Sequence, residues 1–123
     1  MEIIALTGPY DPEVKALLSK MIPDGFTLRE IPTANHFENL ADANYIILRT
    51  LALNAQLINS LPNLKLIQRW GVGYDKVDIK AAGNRNIPVA ITSGMNAAAV
   101  SEMAVLLMLA VYRNLIRLHN NVL

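Results

Sequence analysis

Short apolar runs rich in β-branched residues alternate, over the first 92 residues, with stretches whose apolar positions recur at helical spacing. Glu2–Thr7 reads as a buried strand, punctuated by Gly8-Pro9. Asp11 then caps a helix with Pro12 at its first position, and Val14, Leu17, Leu18, Met21 and Ile22 follow at the helical period. Phe26–Ile31 is a more polar strand, as expected near a sheet edge. A helical turn around Phe37–Ala41 precedes the strand Tyr45–Arg49. Asn54–Leu61 is a helix closed by Pro62, Leu64–Arg69 a fourth strand, Asp78–Asn84 a helix capped by Asp78, and Ile87–Thr92 a fifth strand.

Strands alternating with helices imply right-handed crossovers and a parallel sheet covered on both faces. Five of them predict an α/β, flavodoxin-like domain with strand order 2-1-3-4-5. Residues 97–119 break the rhythm. They hold no Gly or Pro, and a single helix of that length would reach roughly 34 Å at ~1.5 Å per residue. From Ala97 to Val111 only Ser101 and Glu102 are polar, so the apolar surface runs nearly all round. A membrane span is disfavoured because Glu102 lies inside the run and Arg113, Asn114 and Arg117 cut it short. The expectation is a helix that packs against more protein than these 123 residues hold.

The fourth strand ends in Gly71-Val72-Gly73-Tyr74-Asp75. Two glycines one residue apart bring bare N–H groups to the carboxyl edge of a sheet, where open α/β folds bind ligands, and a carboxylate can approach them closely. This is not a dinucleotide fingerprint. The third glycine would fall at Lys76, and Ser93 stands where the ribose-binding acid belongs. On spacing alone the loop is either a tight strand-to-helix turn, with Asp75 and Asp78 as capping residues, or an anion site. Arg49, ending the third strand, either joins the same crevice or is a solvated charge. Asn96, at the start of the long helix, is an N-cap, an amide aimed into the crevice, or both.

The remaining composition mostly excludes. A net charge of +1 without a basic cluster removes the electrostatic case for nucleic acid. No cysteine is present, which rules out disulfides, thiolate metal sites and Cys nucleophiles. His36 and His119 have no carboxylate placed to orient them, Ser93 lacks the GxSxG elbow, and no metal-ligand spacing occurs. The amino terminus reads as a strand and not a signal peptide, so the expected location is cytoplasmic.

Three segments, in order and spacing, resemble the NAD-dependent D-2-hydroxyacid dehydrogenases, the family that includes D-3-phosphoglycerate dehydrogenase. They are LKLIQRWGVGYDKVDIKAAGNRNIPV (64–89), SGMNAAAVSEMAVLLMLAVYRN (93–114) and the weaker YIILRT (45–50). The resemblance implies a flavodoxin-like substrate domain, here 1–95, and an interdomain helix, here within 96–123, leading to a Rossmann domain that holds NAD. It implies that the Val72 and Gly73 amides hold the carboxylate of a small 2-hydroxy or 2-keto acid, with Val72 also near the nicotinamide. Asn96 would stand beside the substrate and Arg49 near its carboxyl group. The family's catalytic Arg, Glu and His, and its GxGxxG loop, come later in the family sequence than the part matched here, so no catalytic residue is assigned.

The resemblance also implies a homodimer formed through residues 97–118. Two departures stand out. Ile91 and Ser93 occupy places where Asn and Pro are common, and Trp70 is bulky where small or medium residues are frequent, which narrows the expected pocket. The resulting expectation is an amino-terminal fragment of such an oxidoreductase, inactive alone. The rival readings are a stand-alone carboxylate-binding flavodoxin-like module and an NAD-responsive, corepressor-like scaffold.

Overall fold

Three stretches of β-branched and aliphatic residues, each too short for a helix and bounded by turn residues, lie side by side at the centre of the protein. In the computed structural model, which describes residues 1–122, they are β1 (Glu2–Thr7), β3 (Tyr45–Leu48) and β4 (Leu66–Arg69). With β2 (Phe26–Ile31) and β5 (Val89–Ala90) they form one parallel sheet in the order β2-β1-β3-β4-β5. The register aligns Ala5, Ile46, Ile67 and Val89 across four strands, and two residues on it aligns Thr7, Leu48 and Arg69. The polar strand β2 does lie at an edge.

The alignment explains an uneven burial. Ala5, Ile46, Leu48 and Ile67 share one face and are fully buried, whereas on the other Leu6 is buried but Ile4, Tyr45, Ile47 and Leu66 are only partly covered. The sheet is therefore covered more completely on one side than the sequence pattern suggests. Ile58 of α2 (Ala55–Ser60) and Ala81 and Ala82 of α3 (Ile79–Asn84) are buried in the core with Leu53, Leu61 and Ile87. By contrast α1 (Pro12–Met21) buries no residue among those described, and its Leu17 and Met21 are exposed. A 3₁₀ segment, Ala34–Leu40, interrupted at His36, contributes Leu40 to the core.

Side-chain caps fix two of the helix starts. Asn54 accepts from the Leu57 amide and Asp78 from the Ala81 amide, both at 2.9 Å, which satisfies one orphan N–H in each first turn. Asp11 occupies the expected cap position before Pro12, but its side chain makes no capping bond. Strand β5 is shorter than the predicted Ile87–Thr92. Pro88 has no N–H to give to the ladder, and the Thr92 amide turns to the Gly71 carbonyl at 3.0 Å instead of continuing it.

The chain divides into two compact units, Met1–Ser93 and Gly94–Leu123; Leu123, the end of the range 96–123, lies outside the described residues. In the second unit the single helix expected over 97–119 is two. Helix α4 (Ala97–Tyr112) and α5 (Leu115–Asn120) are separated by Asn114, whose φ of 51° is left-handed. The absence of Gly and Pro had suggested continuity, but Asn also takes the left-handed position that ends a helix, and its amide donates to Val111 O at 3.1 Å. At 16 residues α4 is about 24 Å long. No helix among the described residues is long and apolar enough to cross a membrane.

At the amino-terminal edge of the sheet, Glu2 accepts hydrogen bonds from the Tyr45 hydroxyl at 2.6 Å and from the Lys65 ammonium. The Lys65 bond, then the Tyr45 bond, holds the Glu2 carboxyl below its ordinary value, and the Arg29 bond does the same for Asp42. A carboxyl whose pKa is lower folded than unfolded adds stability that is complete above its unfolded value and fades as pH falls. The double variant Glu2→Gln, Asp42→Asn should therefore show a flatter loss of stability between about pH 5 and pH 2 than the parent. Urea midpoints measured across that range check this, and identical slopes would refute it.

Candidate functional site

The register that ends β3 and β4 together brings Arg49, Thr50 and the Gly71–Asp75 loop to the same carboxyl edge. Two bonds converge on the last carbonyl of β3: Leu48 O accepts from the Trp70 amide at 2.7 Å and from Arg69 Nη1 at 3.1 Å. On the other side Gly71 O accepts from the Thr92 amide of the chain leaving β5. Further along, Lys76 Nζ donates to Thr50 O at 2.7 Å, and Leu53 and Lys76–Asp78 exchange backbone bonds. The loop is thus anchored before Val72 and after Gly73.

Between the anchors, the amides of Val72 and Gly73 donate to no acceptor among the described residues, and neither do those of Tyr74, Asp75 and Lys76 further along. The direction of the first follows from peptide planarity. In a trans peptide the C=O and N–H point oppositely, so tying Gly71 O to Thr92 aims the Val72 N–H away from β5. Gly71 has φ +145°, a conformation that side-chain-bearing residues rarely adopt, and a Cβ there would lie 3.4–3.5 Å from the Arg69 guanidinium. The Val72 and Gly73 N–H groups both belong to exposed residues, open to a small anion. Asp75 also borders the loop: a Cβ on Gly73 would sit 3.1 Å from its Oδ1.

Arg49 is not free to swing into a crevice. Its guanidinium donates to Pro9 O and lies 5.6 Å from the centre of the Tyr10 ring. Tyr10 donates its hydroxyl to Ile47 O at 3.0 Å and meets Trp70 edge-on at a centroid distance of 5.7 Å. Burial pushes the Tyr10 phenol up to about 12, against the opposing pull of Arg49 and Arg69, so it remains a protonated donor at neutral pH. Trp70, 43% exposed, therefore flanks the glycine loop with its ring held by Tyr10. Tyr10 and Arg69 were not legible as site residues in the sequence. The signal that could have found Arg69 is its place on the strand end opposite Leu48, two residues before Gly71.

Asn96 caps α4 by position, with φ −108° and no capping bond from its side chain, and belongs to the second unit. His36 Nδ1 is paired with Thr33 Oγ1 at 2.9 Å, and His119 lies in the last turn of α5. No group of three His, Cys, Asp or Glu side chains that could hold a metal occurs among the described residues.

A model of the catalytic domain of D-isomer specific 2-hydroxyacid dehydrogenases matches residues 4–122. The chain belongs to this family. It is 34% identical over 115 residues to 2-ketogluconate reductase of Gluconobacter oxydans, covering 92% of this chain and 36% of that one. With D-3-phosphoglycerate dehydrogenase of Archaeoglobus fulgidus it shares 43% identity over 63 residues, covering 51% and 12% respectively. Among solved structures, NAD-dependent formate dehydrogenase from Staphylococcus aureus, in complex with NAD, superimposes with a TM-score of 0.77 at 28% identity, covering 97% of this chain and 40% of the other. The chain thus spans little more than a third, or less, of the curated relatives it matches.

The residues present do not fit a dinucleotide by themselves. In Rossmann domains the pyrophosphate lies on the first strand-to-helix turn. Here that turn is closed, because a Cβ on Gly8 (φ +102°) would come within 2.5 Å of Thr50 Oγ1 and the Pro9 carbonyl is taken by Arg49.

Gly71→Ala should lower stability by about 1–3 kcal/mol, the usual cost of a strained backbone conformation. Gly83→Ala should instead raise it by about 0.5–1 kcal/mol, since Gly83 is helical and nothing lies within 4 Å of the added methyl. Denaturant midpoints for the two variants decide the matter, and equal effects would mean that the Gly71 conformation is not enforced.

Proposed function

We propose that this chain is the substrate-holding part of a D-2-hydroxyacid dehydrogenase, whose whole reaction moves a hydride between a nicotinamide and a small 2-hydroxy or 2-keto acid. The unpaired amides at Val72 and Gly73 carry this reading. Main-chain N–H groups at a sheet's carboxyl edge suit a planar carboxylate, and Arg49, bound to the Pro9 carbonyl beside the loop, adds positive charge without closing over it. Residues 1–95 would form the substrate domain and 96–123 the crossover towards a domain that binds NAD. In that arrangement Val72 lies near the nicotinamide, Asn96 beside the substrate and Arg49 near its carboxyl group. A cytoplasmic location fits this chemistry.

The geometry supplies binding and orientation only. Hydride transfer also needs a bound nicotinamide and a positioned acid–base group. Neither His has the partners for that role: His36 is bonded to Thr33, and the amino-acid sequence places no carboxylate to orient His119. The 123-residue chain mixed with NAD and a D-2-hydroxy acid should therefore form no NADH; turnover would overturn this division of labour.

Pyruvate added to the ¹⁵N-labelled chain should shift the Val72 and Gly73 amide resonances with a dissociation constant in the millimolar range, about −4 kcal/mol. Gly73→Val, whose side chain meets Asp75, should weaken this at least fivefold. Resonances at 71–74 that do not move would reduce the loop to a turn.

Assembly through residues 97–118 is part of the same proposal. Among the described residues helix α4 buries none, and Val100, Met103, Leu107, Leu109 and Val111 are 54–79% exposed. Four such side chains present of order 400 Å² of apolar surface, in the upper range for monomers. Light scattering at micromolar concentration should show a dimer in which this helix pairs about a two-fold axis. A monomer would remove the helix from the interface.

A further inference from the structure

Arg69 is spent in a way that its place on a strand does not require. Its Nη1 donates both to Leu48 O, across the sheet, and to Trp70 O at 2.6 Å, along its own chain. Its Nε is buried and has no partner among the described residues. Leaving a charged group's N–H unpaired is costly, so the side chain is retained at a loss that something else must offset. Directly over the guanidinium lies Gly71, the residue that opens the glycine loop.

We infer that Arg69 is the positioning residue of the loop: its guanidinium, set beneath Gly71 and bonded to the Leu48 and Trp70 carbonyls, holds the backbone that presents the Val72 and Gly73 amides to a carboxylate. The inference rests on the carboxylate reading proposed above. The peptide joining Trp70 and Gly71 is held at both ends, since Trp70 O accepts from Arg69 Nη1 and Gly71 N donates to Arg69 O at 2.9 Å. The next peptide is held through Gly71 O by Thr92. With these two carbonyls bound to donors, neither presents its negative end to an incoming anion, and the amides of Val72 and Gly73 are the first open donors that follow. Arg69 needs no contact with the substrate to do this. Both carbonyl bonds leave Nη1, while the planar group as a whole lies against Gly71, a flat surface that the ammonium of lysine does not reproduce.

The test compares wild type, Arg69→Lys and Arg69→Met in the full 123-residue chain, titrated with pyruvate against sodium chloride at matched ionic strength. Both variants should bind pyruvate at least fivefold more weakly than wild type, with amide resonances remote from residues 69–74 unchanged. Lysine keeps the charge, so Arg69→Lys binding as tightly as wild type would show that charge alone matters and would overturn the positioning role. A folded Arg69→Met with unchanged affinity would overturn it outright.

The wild type gives a readout that survives misfolding of either variant. The Arg69 Nε–H resonance should be protected from exchange, and pyruvate should move it with the same midpoint as the Val72 and Gly73 amides. An Nε–H that stays still while those amides move would overturn the inference. Should pyruvate move no loop amide in the wild type, the carboxylate reading itself fails, which is a separate outcome because every test of Arg69 presupposes a wild type that binds.

Discussion

The carbonyl oxygen of Leu48 is the point at which sheet and loop are joined. It accepts the Trp70 amide, which extends the β3–β4 ladder by one bond, and the Arg69 guanidinium, which reaches across from the register partner of Leu48 itself. Both donors come from the three residues that precede the glycine loop. The parallel register therefore decides where the loop begins, which of its peptides are held, and which are left with free N–H groups. A slip of β4 by one residue would turn Arg69 to the other face, and Ile67 would leave the buried side together with it. Core packing and site geometry are in this sense enforced by one alignment.

Much of the architecture was legible in the chain because it depends on local signals. Short apolar runs between turn residues gave all five strands, the polarity of Phe26–Ile31 marked an edge, and Asn54 and Asp78 marked helix starts that their side chains do cap. The misreadings have physical causes. Asn114 ends α4 in a conformation usually sought at glycine, and Thr92 leaves the β5 ladder for a carbonyl that only the folded chain brings near. The two faces of the sheet are covered unequally, and α1 keeps Leu17 and Met21 exposed, a matter of docking and not of periodicity.

The candidate site was legible in part for the same reason. Gly71 and Gly73 announce themselves by residue type, and Arg49 by its place at a strand end. What the sequence could not supply was the pairing. That Arg49 is occupied by the Pro9 carbonyl and the Tyr10 ring, that Tyr10 steadies Trp70, and that Arg69 lies under Gly71 are all relations between residues distant in sequence or turned by a special backbone angle. The family match over residues 4–122 agrees with the fold but does not by itself describe these contacts.

The free N–H groups of the loop are main-chain groups, and this makes them unusually durable. A side-chain ligand is deleted by one nucleotide change; an amide survives replacement of its residue by anything except proline. Val72 can accordingly vary in size and polarity without the loop losing a donor, provided the glycines on either side keep their shape. The grip on one end of a ligand is in this way uncoupled from the side chain that meets whatever lies next to it. Such a loop can be retuned toward a new neighbour at residue 72 while the part that recognises charge is passed on unaltered.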